Sequence, residues 1–264
     1  MRSLLVSALL ALLALAPACG GSTGDQVVDF EAVASGPVDA APGEPLSFDG
    51  SHGWRVTLTR ARLHIGALYL ADTLPVSAAQ ATSCILPGNY VAQVVDGREV
   101  DLLSNEPQAF PTRGHGITLS ALAGQVWLTG GDVDVAHEPT PPTLILHLLG
   151  SAARGAESRP FEAELTIADN RLNASGSVSE GAPICKERIV SPIPTSLRVQ
   201  NGGALWLRVD PRRLFTNVDF GALESDGDVF VFRDDSSDQP SANLYHNLTQ
   251  ASDMYGFSWV DPPH

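Results

Sequence analysis

The stretch from His52 to Leu70 limits the fold more than any other part of this chain. Trp54, Val56 and Leu58 alternate with Arg55, Thr57 and Thr59, the two-residue period of a strand with one buried face. The apolar phase then slips: Ala61, Leu63 and Ile65 point inward while Arg62 and His64 point out. A one-residue slip turns every later side chain to the wrong face unless a bulge at Thr59-Arg60-Ala61 absorbs it. The stretch therefore reads as one long bent strand, or two strands in succession, through the middle of a sheet.

The same period recurs along the chain. Val28, Phe30 and Ala32 alternate with Asp29 and Glu31; Gln125 to Thr129, Thr143 to Leu149, Phe161 to Ile167 and Ala204 to Val209 are further strands. Turn residues divide them. Asp96-Gly97 between Tyr90–Val95 and Glu99–Leu103 predicts a hairpin, as do Asp169-Asn170 before Arg171–Val178 and Asn201-Gly202-Gly203 after Ser196–Val199. Helix is scarce. Asp210 caps a helical turn that begins at Pro211, and Leu244, Leu248 and Ala251 place one amphipathic helix over Ser241–Ala251. Many short strands with few helices predict an all-β fold, an antiparallel β-sandwich or partly closed barrel with one short C-terminal helix.

The first residues give an address. Arg2 precedes an unbroken apolar run, Leu4 to Leu15, which as a helix reaches only about 18 Å and so reads as a signal segment, not a span. Ala16-Pro17-Ala18-Cys19 resembles the bacterial lipobox, although Ala16 stands where Leu is usual. It predicts diacylation of Cys19, a lipoprotein signal peptide over residues 1–18, a flexible tether over 19–26 and a single domain over 27–264. No Asp follows Cys19, so the expected destination is the outer membrane. With Cys19 acylated, Cys84 and Cys185 remain as a pair. In an oxidising envelope a disulfide between them closes a loop of about 100 residues, worth nearly 5 kcal/mol on the chain-entropy argument; the alternative is two separate thiols. The formal charge of −14 argues against nucleic acid as a partner and against adsorption to anionic lipid, leaving the acyl anchor as the membrane contact.

Several segments carry family resemblances. SFDGSHGWRVTLTRARLHIGALYL, YVAQVVDGREVDLL, GQVWLTGGDV and the run from ICKERIVSPIP to ALWLRVDPRRLF resemble a group of myxobacterial lipoproteins with no known activity, over roughly Phe48 to Leu223. The strand order and the LRVDPRRLF ending are also similar to the all-β periplasmic partner proteins of the copper chelator methanobactin, without that group's paired-Cys and aromatic-rich motifs. Neither resemblance supplies catalytic residues.

The chemistry is sparse. The sequence holds no zinc-protease helix, nucleophile elbow or phosphate loop. A Ser/His/Asp set drawn from separate strands keeps an envelope hydrolase as the alternative from another class. His52, His64, His115, His137 and His147 suffice for a transition-metal site, copper included, if two or three converge, although each alone is more often a surface or satisfied core histidine. Asp226, Asp228, Asp234 and Asp235, with Asp238, bracket a short strand at Val229–Phe232 and offer hard oxygen ligands for calcium, although such turns also serve solubility. Asp132 and Asp134 read as a solvated strand face. Trp127, Trp206, Tyr255, Phe257 and Trp259 fit core packing, with a carbohydrate or protein platform as the sharper alternative. The expectation is a lipid-anchored cell-envelope protein with a non-enzymatic binding or structural role, the rivals being a divalent-cation accessory protein and a hydrolase.

Overall fold

The computed structural model describes residues 26–74, 89–128, 144–166, 189–250 and 253–261. Strand β1 (Val27–Ser35) buries Val28, Phe30, Ala32 and Ala34 on one face, the alternation its sequence predicts. β2 (Leu46–Asp49) and β3 (Arg55–Ile65) pair across a turn at Ser51–Gly53. The bulge in β3 is where the phase slip requires it. Leu58 and Arg60 oppose consecutive residues of a partner strand, Gly150 and Leu149, so Thr59 is the extra residue. Trp54, Val56, Leu58, Ala61, Leu63 and Ile65 all stay buried. After Gly66 the chain leaves that sheet: β4 (Ala67–Ala71), buried throughout, belongs to the other one.

The remaining strands are β5 (Tyr90–Val94), β6 (Arg98–Asp101), β7 (Gln108–Ala109), β8 (Gly114–Ile117) and β9 (Ser120–Trp127), then β10 (Leu146–Arg154), β11 (Glu157–Leu165), β12 (Ile189–Arg198) and β13 (Ala204–Val209), and last β14 (Ser225–Asp226), β15 (Val229–Phe232) and β16 (Tyr255–Val260). Among the described residues, nine strands form the larger sheet, ordered β12-β9-β4-β5-β8-β1-β13-β16 with β7 beside β1. It curls until its end strands face each other, nearly closing a barrel. Seven described strands form the smaller sheet, ordered β14-β15-β11-β10-β3-β2 with β6 beside β3. Pairing is antiparallel except for β1 with β13 and β11 with β15. One continuous apolar core lies between the sheets.

Two expected hairpins are turns of another kind. Asp96 takes the left-handed conformation that a tight turn needs, yet β5 pairs with β4 and β8 while β6 pairs with β3, so the turn carries the chain between sheets. Asn201-Gly202 likewise joins β12, paired with β9, to β13, paired with β1 and β16. A hairpin that composition did not announce joins β10 to β11 through Gly155, at φ +62, and Ala156. The Asp169-Asn170 turn lies outside the described residues.

Both helical segments form where expected, although the helix spans Gln239–Thr249 instead of Ser241–Ala251, and Ala251 lies outside the described residues. A 3-10 turn spans Pro211–Phe215, and the Asp210 carboxylate accepts from the Arg212 N–H at 3.1 Å. Helix α1 (Gln239–Thr249) is capped by Asp238, which accepts from Ser241 N–H at 2.8 Å, and it buries Leu244 and Leu248. Phe161, Phe215, Phe220, Phe230, Phe232 and Trp54 form an aromatic cluster beneath the smaller sheet, with ring centroids 5.2–6.3 Å apart in the contacting pairs. The Trp54 indole N–H donates to Asp219 at 2.8 Å, and that bond, helped by Gly221 N–H and Arg154, holds the Asp219 carboxyl below its ordinary range. Among the described residues no helix is long and apolar enough to cross a membrane.

Candidate functional site

The residues marked out by sequence are scattered. His52 sits exposed in the β2–β3 turn at φ 56. His64, half-buried on β3, faces Glu99 across the strand pair. Its burial lowers its pKa, with Glu99 partly opposing, and its Nε2 has no hydrogen-bond partner among the described residues. His115 lies on β8 in the other sheet, its Nδ1 2.7 Å from Asp29 Oδ1. Asp226 and Asp228 flank Gly227 in the exposed β14–β15 turn. Asp234 accepts from Thr166 N–H at 3.0 Å and from Thr166 Oγ1 at 2.6 Å, and Asp235 accepts from Ser237 N–H at 2.9 Å. The last two are thus engaged in turn chemistry, and Asp238 in capping. None of these residues falls in a three-donor group among the described residues. Cys19, Cys84, Cys185, His137, Asp132 and Asp134 lie outside the described residues.

One three-donor group does form, and it contains another of the histidines. His147 on β10 stands directly across from Glu164 on β11, while Glu162, two residues along, shares the outward face. The three come together because Leu146, Leu148, Ala163 and Leu165 turn the opposite face of the same hairpin into the core. His147 Nε2 lies 3.8 Å from Glu164 Oε1 and 4.0 Å from Glu162 Oε1, and all three donor atoms fall within 4.8 Å of one another. The imidazole is 19% exposed, and the carboxylates are 49% and 57% exposed. Nε2 is shielded from solvent and has no hydrogen-bond partner among the described residues. The neighbour on the other side, Arg62 of β3, opposite His147, is drawn away by Glu99 at 2.9 Å and Asp101 at 3.8 Å.

These separations are too long for hydrogen bonds. They are close to what a bound ion leaves: metal–nitrogen and metal–oxygen distances of about 2.1 Å at a tetrahedral centre set donors about 3.4 Å apart. A small rotamer adjustment of two exposed glutamates covers the difference. One imidazole nitrogen and two carboxylates suit zinc, copper and similar borderline ions better than calcium, which takes six to eight oxygens. Three protein donors on the outward face of one sheet leave the remaining positions open to solvent. Nothing local in the sequence singles out either glutamate. Glu162-Ala163-Glu164 shows that two carboxylates share a strand face, but their meeting with His147 depends on cross-strand register, which spacing does not carry.

No protein-family model matches the chain, and no curated protein matches it. Among solved structures, MbnP from Methylosinus trichosporium is a distant neighbour, 12% identical over 90% of this chain and 100% of that one, with a TM-score of 0.44. The resemblance to myxobacterial lipoproteins finds no support in these comparisons.

Proposed function

We propose that this chain is a non-enzymatic, metal-binding accessory protein, holding a divalent transition ion of the copper and zinc class at His147, Glu162 and Glu164. One observation carries the reading: the shielded, unpartnered His147 Nε2 faces two carboxylates at 3.8 and 4.0 Å. Because all three donors belong to one hairpin in the middle of a sheet, the site needs little reorganisation to load. Its open positions suit exchange of the ion more than permanent structural retention. The protein works from the cell envelope, tethered to the outer membrane by acyl chains on Cys19, with Cys84 and Cys185 joined in the oxidising compartment; the apolar run before Cys19 and the even pair of remaining cysteines support this placement.

The test is equilibrium dialysis of the mature protein against zinc, copper(II) and calcium, followed by elemental analysis. One equivalent of zinc or copper is expected, with none of calcium. His147→Ala should weaken uptake by more than about 100-fold, since even outer-shell changes cost 10- to 100-fold. Absence of uptake by the unaltered protein, or equal uptake by His147→Ala, refutes the site. Intact mass of the membrane-extracted protein tests the anchor: an unacylated N-terminus removes it.

A further inference from the structure

The larger sheet nearly closes, and the place where it fails to close is a cleft. Strands β12 and β16 end the sheet on opposite sides, and their Cα atoms come within 8 Å, yet no ladder joins them. Two features hold the seam open. β12 shifts register against β9 twice, between Val190 and Ile193 and between Pro194 and Leu197, and Pro192 and Pro194 remove two backbone donors. From the other side, the Phe257 ring reaches beneath the seam to lie on Gly124 of β9, where a Cβ would overlap it.

We propose that this seam binds a neutral oligosaccharide. The cleft has a volume of about 410 Å3, within the range of small-ligand sites. Leu197, Phe257 and Trp259 line it as partly buried apolar groups resting on the core, a surface on which the apolar face of a pyranose ring can stack. Its rim is polar: Arg198, which has no ion-pair partner among the described residues, stands on β12, and Ser258 and Asp261 stand at the β16 side. Gln200 Nε2 donates to Asp261 Oδ1 at 3.0 Å and fixes that carboxylate at the mouth. One arginine and one aspartate leave the rim with no net charge while supplying donors and acceptors, which is the complement of a hydroxyl-rich neutral ligand. An added peptide strand does not fit. It would meet Pro192 and Pro194 on β12, which offer no backbone donor for a ladder.

The full mature chain is titrated calorimetrically with neutral hexasaccharides (β-1,4-glucose, β-1,4-N-acetylglucosamine and α-1,4-glucose), and with a polygalacturonate hexamer and dodecanoate as anionic and apolar arms. Saturable one-to-one binding of a neutral hexasaccharide is expected. Asp261→Ala should weaken it about tenfold, since a hydrogen bond to a charged group is lost. Ser258→Trp, a substitution at an exposed position that fills the cleft, should abolish it, while Glu162→Gln leaves it unchanged. Circular dichroism checks that each variant is folded. Binding of only the anionic or apolar probes, no binding at all, or neutral binding that survives Ser258→Trp overturns the proposal.

Discussion

Two single-residue deletions, two positions apart on β3, should differ sharply in cost. Deleting Thr59 removes the bulged residue itself. The chain then reads Trp54, Val56, Leu58 inward, Arg60 outward and Ala61 inward, a regular strand with no buried side chain displaced. What is lost is one long, exposed bond from Thr59 Oγ1 to Leu149 O at 3.3 Å and the local twist of the bulge, together about 1 kcal/mol. Deleting Thr57 also yields an unbroken strand, but only by turning Leu58 outward and Thr59 inward. Leu58 is fully buried, so exposing it costs about 1.5–3 kcal/mol. Burying the Thr59 hydroxyl without a partner adds about 1–3 kcal/mol. The sum, roughly 2.5–6 kcal/mol, is a large share of a typical stability of about 5–15 kcal/mol. Urea unfolding followed by far-ultraviolet circular dichroism and tryptophan fluorescence measures both variants. If the two deletions are equally destabilising, or deletion of Thr59 is the worse, the bulge does not absorb the phase slip as argued.

Three further outcomes follow from the packing and electrostatics. Gly124→Ala should destabilise the protein by about 1–3 kcal/mol because the new methyl collides with the Phe257 ring, and Phe257→Leu in the same background should recover part of the loss in a thermal melt; additive losses would mean the two do not touch. His64 has its pKa lowered in the fold by burial, so the folded protein favours the neutral ring. Stability should therefore be unaffected by this group above pH 6.5 and decline as pH falls below it towards the lowered value. His64→Gln should flatten that part of the urea-midpoint profile, and parallel profiles for the two proteins would contradict the burial account. Asp238→Ala should cost about 1–2 kcal/mol by uncapping α1, read from chemical denaturation; no change would show that Asp238 does not stabilise the helix start.

Much of the secondary structure was legible because its signals are local. Alternation marked β1 and β3, the phase slip located the bulge, and Asp210-Pro211 announced the 3-10 turn, since each depends on geometry within a few residues. The candidate site was legible only in part. His147 is one of seven histidines with nothing local to single it out, and Glu162 and Glu164 read as the solvated face of a strand. Only the pairing of His147 with Glu164 across β10 and β11 brings the donors together. The hairpin that creates this pairing turns on Gly155-Ala156, and the run Gly150-Ser151-Ala152-Ala153 before it shows little alternation.

What the sequence determined by itself was the kind of element and the face each would bury, because a period of two and a turn residue act over short distances. Which sheet each strand joined was decided by the tertiary structure. Asp96-Gly97 and Asn201-Gly202 bend the chain equally well whether the strands on either side pair with each other or with distant partners. The choice falls to the packing of one shared core, where Leu58, Phe161 and their neighbours from remote parts of the chain must fill the same volume, and no local signal carries that information.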